Sequence, residues 1–476
     1  MRISLFAFPS RTAFGLLLMG SLFFFNLNAS GQPSQERIST DLKYAKALEI
    51  IKFAYVDTVN EAELTEHAIR GMLKELDPHS VYLSAEELKE ANEPLQGSFD
   101  GIGVQFNIIS DTIVVISPTP GGPSEKVGIM PGDKIVKIDG DIAVGSIVNN
   151  NFVFKKLRGE RGSKVLISIF RQGAKDLLEF TIIRDQIPIN SLDAAFMASP
   201  ETGYIKINRF ARTTIREFKE ALIKLQAQGM KNLILDLNYN SGGYLDVAIE
   251  LSDQFLEKEK LIVYTEGNSS PKQKFNSTVR GVFKKGKLVV LINEGSASAS
   301  EIVSGAVQDW DRALLVGRRS FGKGLVQRPF NLPDGSAIRL TTARYYTPTG
   351  RSIQKPYEDG IDQYYKDLSD RFKSGELVDP TKIHMPDSLK FETMINKRPV
   401  YGGGGVMPDF YIPLDTTRIS DFYSQLLRKG LLNQFSFEYA NKNREQLNNT
   451  YPDLNIFIKQ FDVDDAFMNE FFAYAA

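Results

Sequence analysis

Apolar residues recur near helical spacing early in the chain: Leu42, Ala45, Leu48, Ile51 and Phe53, then Leu64, Ala68, Ile69, Met72 and Leu76. That period predicts helices across residues 36–93. From residue 99 the pattern turns to short apolar runs between glycines, with Ile113-Val-Val-Ile116 followed by a Gly-rich run from Gly122 to Gly140. This predicts a small β domain with one short helix. Residues 191–357 then alternate. Strands are predicted at 203–207, 233–237, 261–264, 288–292, 313–317 and 337–341, and helices at 213–228, 245–256 and 297–309. Such alternation indicates an α/β core with helices covering a sheet.

The segments between and after these elements are polar. Residues 265–287 contain Asn268-Ser-Ser-Pro271 and read either as a mobile loop beside a site or as a solvated connection. Residues 357–397 are charged and suit a helical surface insertion. Residues 417–476 are aromatic-rich and helix-compatible, with Phe467, Phe471, Phe472 and Tyr474 near the end. They are expected to add a helical region for self-association or lid contacts. At the other end, Arg2 and Arg11 precede an apolar stretch at 13–27, short for a membrane span and in the range of a signal-peptide core. The small residues at 27–29 place a cut after Ala29, and the alternative is an uncleaved anchor.

Composition narrows the chemistry. Hydrophobic content of 42% and charged content of 24% suit a folded protein. A net charge of −1 without a basic patch excludes a nucleic-acid partner. There is no cysteine, so thiol catalysis, thiolate metal sites and disulfides are excluded. The three histidines, His67, His79 and His384, form no metal-binding His-Glu-x-x-His pair. No metal or cofactor is expected.

None of the histidines lies near the Ser-rich turn in sequence, which leaves a spatial triad open, and a hydroxyl with an amine is the other pairing at hand. Asn293-Glu-Gly-Ser-Ala-Ser-Ala-Ser-Glu301 follows the apolar run 288–292, so a strand ends in a small-residue turn and opens a helix. Ser320-Phe-Gly-Lys-Gly-Leu-Val-Gln327 holds Lys323 between two glycines that let the backbone pass close to a site. Serine is a weak nucleophile until a base takes its proton, and a lysine whose pKa is lowered by burial can be that base.

These segments closely resemble the carboxy-terminal processing proteases, or tail-specific proteases, a serine–lysine peptidase family. The resemblance also rests on Gln308-Asp309, Asp334-Gly335 and Tyr345-Tyr-Thr-Pro-x-Gly-Arg351, and it runs from about residue 76 to residue 408. It implies Ser298 as nucleophile, Lys323 as general base and Gln327 as support for the lysine. Ser296 and Ser300 then serve capping or packing. His79, in Leu76-Asp-Pro-His-Ser-x-Tyr82, is expected to be a turn residue.

The turn Asn238-Tyr-Asn-Ser-Gly-Gly243 lies between a predicted strand and a predicted helix and offers free N–H groups there. The resemblance sets an amide from Gly242 or Gly243 opposite that of Ala299, as an oxyanion hole. Asn238 and Ser241 stand where the family more often has arginine and proline.

The β domain, with Phe99-Asp-Gly-Ile-Gly-Val-Gln-Phe106 at its start, resembles a PDZ domain, which takes an extended peptide as an added strand. The match puts the carboxylate-binding loop at Gly101, Ile102, Gly103 and Val104.

The expected fold is α/β and multidomain. A signal peptide at 1–29 is followed by a helical N-terminal region at 33–96 and a PDZ-like β domain at 97–186. An α/β serine peptidase core at 187–356 and a polar insertion at 357–400 follow. A return segment carrying Gly404-Gly405 and Pro408-Asp409 then leads into a helical C-terminal extension, together 401–476. The expected function is an exported, periplasmic or membrane-associated endopeptidase that cuts polypeptides near their C-termini, with self-association through the helical ends. The alternatives are an inactive PDZ scaffold on a peptidase-like core and a different Ser/Lys hydrolase, for which no paired Ser-x-x-Lys and Lys-Thr-Gly motifs are present.

Overall fold

A computed structural model describes residues 35–417 and 420–476, with backbone alone for 35–38. The expected signal segment and its cut after Ala29 lie outside the described residues. The described residues up to Ala68 and those from Ile69 onward form two units. In the first, helix Gln35–Ala54 leaves Leu42, Ile50, Ile51 and Phe53 exposed, and Lys52 pairs with Glu61 at 2.6 Å.

The predicted helical region is broken twice, at residues 55–60 and at residues 75–84. After helix Glu61–Lys74 the chain turns at Asp77, whose carboxylate accepts the N–H groups of His79 and Ser80. It then forms a short strand, Val81–Leu83, which pairs with Ala337–Tyr346 before helix Ala85–Gln96. An Asp-Pro turn ends a helix because proline disfavours helical backbone in the preceding residue.

The α/β core is a six-stranded sheet in the order Leu192–Ser199, Thr202–Ile207, Asn232–Asp236, Leu288–Ile292, Leu314–Gly317, Phe410–Tyr411. The first pair is antiparallel and the remaining strands are parallel. Helices Thr214–Ala227, Leu245–Asp253 and Ala299–Asp309 bury Phe218, Leu251 and Val303 with Leu235, Val290 and Leu315 of the strands. Residues Leu233 to Asp236 pair in step with Leu288 to Leu291. The turns after these two strands therefore open side by side at one edge, where ligands of open parallel sheets bind.

A second, antiparallel sheet carries Leu325–Asn331 and Ala337–Tyr346 together with Val81–Leu83, Leu261–Gly267 and Ser270–Asn276. Much of the polar segment 265–287 is thus a hairpin, in register Tyr264 to Lys274. Its second strand faces solvent along most of its length, so it lacks the apolar alternation by which strands are read, and Pro271 is tolerated there as on other edge strands.

The PDZ-like domain is a sheet of Val104–Ile109, Thr112–Pro118, Lys134–Ile138, Lys164–Phe170 and Leu178–Ile183 around Ile113, Ile135, Ile167 and Ile182. Ser98–Gly101 pairs with Asp185–Pro188 and closes the domain. The insertion after residue 357 contributes helix Ile361–Lys373, with Tyr364 and Arg371 buried, and is therefore no surface appendage. Strands Lys390–Glu392 and Pro399–Tyr401 pair before the chain returns to the core sheet. Five C-terminal helices from Asp421–Arg428 to Asp465–Ala475 hold a core of Leu426, Phe435 and Phe471.

Candidate active site

The Ser-Ala-Ser-Ala-Ser run is sorted by its hydrogen bonds. Ser296 Oγ donates to Leu237 O at 2.8 Å and accepts Asn293 N–H at 3.0 Å. Ser300 Oγ donates to Asn240 O at 2.8 Å. Both are fully buried and tie the turn to the neighbouring strand end, so neither hydroxyl is free to attack. Ser298 lies between them, half-buried, at the start of helix Ala299–Asp309 with φ 53° and ψ −111°. A non-glycine residue held there stores strain of ~1–3 kcal/mol and turns its side chain out of the helix.

Lys323 lies on the loop before strand Leu325–Asn331 and lines the same cavity as Ser298, about 750 Å³ in volume. Burial, and then the charge of Arg339, push its pKa down to about 8, against an opposite pull from Glu301 and Asp77. No hydrogen bond joins Ser298 Oγ to Lys323 Nζ; the two side chains face one space without engaging. Glycine is required beside the lysine. Gly322 has φ 91°, and a Cβ there would come 3.0 Å from Gly405 N; one on Gly324 would come 3.0 Å from Gln354 N.

Two residues bind the serine turn to the lysine loop. The carboxylate of Glu301 accepts N–H groups from Ser298 at 2.8 Å, Gly322 at 2.7 Å and Lys323 at 2.8 Å. It also accepts the Ser320 hydroxyl at 2.5 Å. Full burial pushes the Glu301 pKa up to about 7, and the four donors oppose that rise. The Tyr345 hydroxyl lies 2.6 Å from Lys323 O and 3.0 Å from Ser298 O. In the sequence, Glu301 reads as an ordinary third-position helix acid and Tyr345 as one aromatic of a strand. Only the fold shows the carboxylate reaching a loop some twenty residues on.

The insertion helix supports the same loop. Arg371 donates to Ser320 O at 2.9 Å and Phe321 O at 3.3 Å. Tyr364 stacks edge-on against Phe321, and its hydroxyl meets His79 Nε2 at 2.8 Å. Burial, then the charge of Lys323, push the His79 pKa down to about 4, which keeps that ring neutral. Gln327 lines the same cavity, and its amide donates to Thr341 Oγ1 at 3.2 Å, while Thr341 in turn donates to Asp77 at 3.0 Å.

The Gly-Gly turn closes on the serine. A Cβ on Gly242 would lie 2.9 Å from Ser298 Cβ and 3.0 Å from Ala299 N, while one on Gly243 would strike Phe210 O. Gly242 N–H is spent on Asn240 Oδ1 at 2.9 Å. Among the described residues the N–H groups of Gly243 and Ala299 donate to no protein acceptor. The cavity that they share with Ser298 continues along Leu88, Ala91, Leu95, Leu245 and Val326, a wall suited to an extended chain.

The model of the peptidase family S41 matches residues 201–365, and that of the PDZ domain matches 101–182. The activating protease CtpB N-terminal domain matches 25–87, and a family of unknown function, DUF8443, matches 422–476. A carboxy-terminal-processing protease of Bartonella bacilliformis is 35% identical over 344 residues, 71% of this chain and 78% of the relative. The chain belongs to peptidase family S41.

A second S41 relative, the carboxy-terminal processing protease CtpB of Bacillus subtilis, is 35% identical over 364 residues, covering 75% of this chain and 74% of its own. Among solved structures, the photosystem II D1 C-terminal processing protease aligns at TM-score 0.40 and 26% identity, over 79% of this chain and 93% of that chain. Membership of S41 makes this protein a serine peptidase of the carboxy-terminal processing type, with a PDZ domain between its N-terminal helices and its catalytic core.

Proposed function

We propose that this S41 peptidase is an exported endopeptidase that cuts polypeptides near their C-termini with Ser298 as nucleophile and Lys323 as general base. The observation that carries this reading is the pairing itself. An outward-turned serine and a lysine with a pKa of about 8 line one cavity, on loops held together by Glu301 and Tyr345.

Neutral Lys323 takes the Ser298 hydroxyl proton as Oγ attacks the scissile carbonyl. The N–H groups of Gly243 and Ala299 are the donors available for the developing oxyanion, with Gly242 shaping the turn rather than donating. The lysine ammonium then protonates the leaving amine. Water hydrolyses the acyl-enzyme with Lys323 again as base. The proton transfer requires Ser298 and Lys323, which line one cavity, to come within hydrogen-bond reach when a peptide occupies it. Gln327 supports the lysine only through the Thr341–Asp77 network.

The PDZ loop supplies the tail specificity. Gly103, at φ 72°, gives the loop of Gly101, Ile102 and Val104 a left-handed turn of the kind that lets backbone N–H groups converge on an anion, which supports this reading. A small apolar pocket beside it, lined by Ile102, Val153, Phe154 and Leu157, takes the last side chain. Upstream residues add to the open edge of Val104–Ile109. Export is read from the N-terminal apolar stretch, and among the described residues no helix is long and apolar enough to cross a membrane. Exposed Leu42, Ile50 and Phe53 suit self-association through the N-terminal helix.

An inactive scaffold has no observation in its favour, since serine, lysine and Gly-Gly turn all converge. The deciding experiment incubates the mature protein with unfolded polypeptides of varied C-termini, beside Ser298→Ala. Sustained cleavage by the folded Ser298→Ala protein would move the nucleophile elsewhere.

A further inference from the structure

The C-terminal helices match a family to which no function is assigned, and they touch the PDZ domain. The Arg444 guanidinium donates to Pro131 O, and Gly132 packs so closely on Arg444 and Asn441 that a side chain there would overlap both. The helices have their own aromatic core, so this contact docks a preformed body rather than completing a fold. Docking brings the corner between helices Asp421–Arg428 and Leu431–Lys442 to the PDZ peptide groove. Gly430, Asn433 and Gln434 line one cavity of about 630 Å³ with the whole of strand Val104–Ile109 and with Asn150 and Phe154.

We infer that the C-terminal region is a second wall of the substrate groove, which reads a polypeptide tail several residues upstream of its terminus. This rests on the reading of the PDZ domain as the tail-binding module. Val104–Ile109 has six residues and among the described residues pairs only with Thr112–Pro118, which leaves its other edge open to them for its full length of ~20 Å. A tail added antiparallel, with its carboxylate at the loop before Val104, sets its last residue near Val104 and one about five residues upstream near Ile109. The apolar pocket for the last side chain is small, about 40 Å³, and lies at the loop end of the groove. The larger space belongs to upstream residues, and the helical corner borders it.

The chemistry of that space defines the occupant. Gln105, Asn107, Asn150, Asn433 and Gln434 bring five carboxamides to it and no charged side chain lines it. Carboxamides offer both donors and acceptors, which suits the backbone and uncharged polar side chains of an extended, unfolded tail. Gln434 Nε2 donates to Lys429 O at 3.1 Å, which leaves its oxygen to accept. Asn433 is exposed, and its side chain makes no hydrogen bond among the described residues.

The test uses the full chain carrying Ser298→Ala, so that bound peptide is not consumed. Labelled peptides of about four and about ten residues share their last four residues, each as acid and as amide, and affinity is read by fluorescence anisotropy. The longer acid should bind more tightly than the shorter one. Asn433→Ala with Gln434→Ala should remove about threefold to tenfold of the longer peptide's affinity, the range expected for one or two neutral hydrogen bonds, and leave the shorter one's unchanged. A photo-crosslinker five residues from the terminus should label the segment 422–476. Equal loss for both lengths, no length advantage in the parent chain, or tighter binding of the long peptide by the Asn433→Ala with Gln434→Ala variant than by its parent would overturn the inference, the last showing the helices to be an obstruction. If the short acid and amide bind alike, the tail-binding reading fails first and this inference with it.

Discussion

The carboxylate of Glu301 receives the backbone N–H of Lys323 at 2.8 Å while receiving that of Ser298 at the same distance. One buried acid therefore sets the distance between the loop that carries Ser298 and the loop that carries Lys323. Three of its contacts are backbone N–H donors and the fourth is the Ser320 hydroxyl, a setting that favours the ionised carboxylate against the burial that opposes it.

Glu301→Gln should therefore keep the fold and lose activity. A glutamine of the same shape presents an NH2 where an N–H or hydroxyl now donates, so one loop must shift. A shift of about 1 Å is enough to lower kcat about a hundredfold, with KM little changed. The charge effect is separable. Glu301 raises the pKa of Lys323, so its removal should move the rise of residual activity to lower pH. An unmoved profile at full kcat would leave Glu301 a packing residue.

Activity should rise with pH through about 8, where Lys323 loses its proton. The sign follows from chemistry: the ammonium cannot accept the serine proton, so the rate grows as the neutral amine is populated. Arg339 lowers that pKa, so Arg339→Gln should move the rise upward. Single-turnover rates of the stable protein from pH 6 to 10 check both. A monotonic fall over that range would rule out a neutral-lysine base.

Ser298→Ala and Lys323→Ala should each abolish peptide hydrolysis in a folded protein, and the double variant should lose little more than either alone. Groups that act as one unit are not additive. Substantial turnover by Ser298→Ala would be unexpected from any neighbour, since Ser296 and Ser300 give their protons to backbone carbonyls.

Amidation of a substrate's C-terminus should weaken binding by about 1.5–3 kcal/mol for each charge-assisted hydrogen bond lost at the 101–104 loop. Paired acid and amide peptides, compared for affinity and for cleavage, decide this. Identical behaviour of each pair would leave the PDZ domain as a gate or a spacer.

Much of this architecture was legible in order. The unbroken apolar run 288–292 and the shift from a helical period to βα alternation follow from burial on a parallel sheet, and such burial leaves its mark residue by residue. The absence of cysteine excluded thiol chemistry before any distance was known, and the resemblance of the serine run and the Gly-Lys-Gly loop to one family pointed to a hydroxyl and an amine. The segment 265–287 hid its hairpin because a strand facing solvent needs no apolar alternation. The insertion helix looked like surface for a related reason: its buried members, Tyr364 and Arg371, are a phenol and a guanidinium, which write no apolar stripe.

The order of residues determined which side chains are present at the site and on which turns they ride. Tertiary structure decided which of them are spent. Three serines alternate identically in the sequence, yet two are hydrogen-bonded to carbonyls of the neighbouring turn and one is not. Gly242 and Gly243 are adjacent and alike, yet only Gly243 keeps its N–H uncommitted, because Asn240 reaches the other. Gln327 follows the lysine closely in the chain but bonds Thr341. Hydrogen-bond partners are chosen by distances across the fold, and a linear sequence holds no such distances between residues far apart along it.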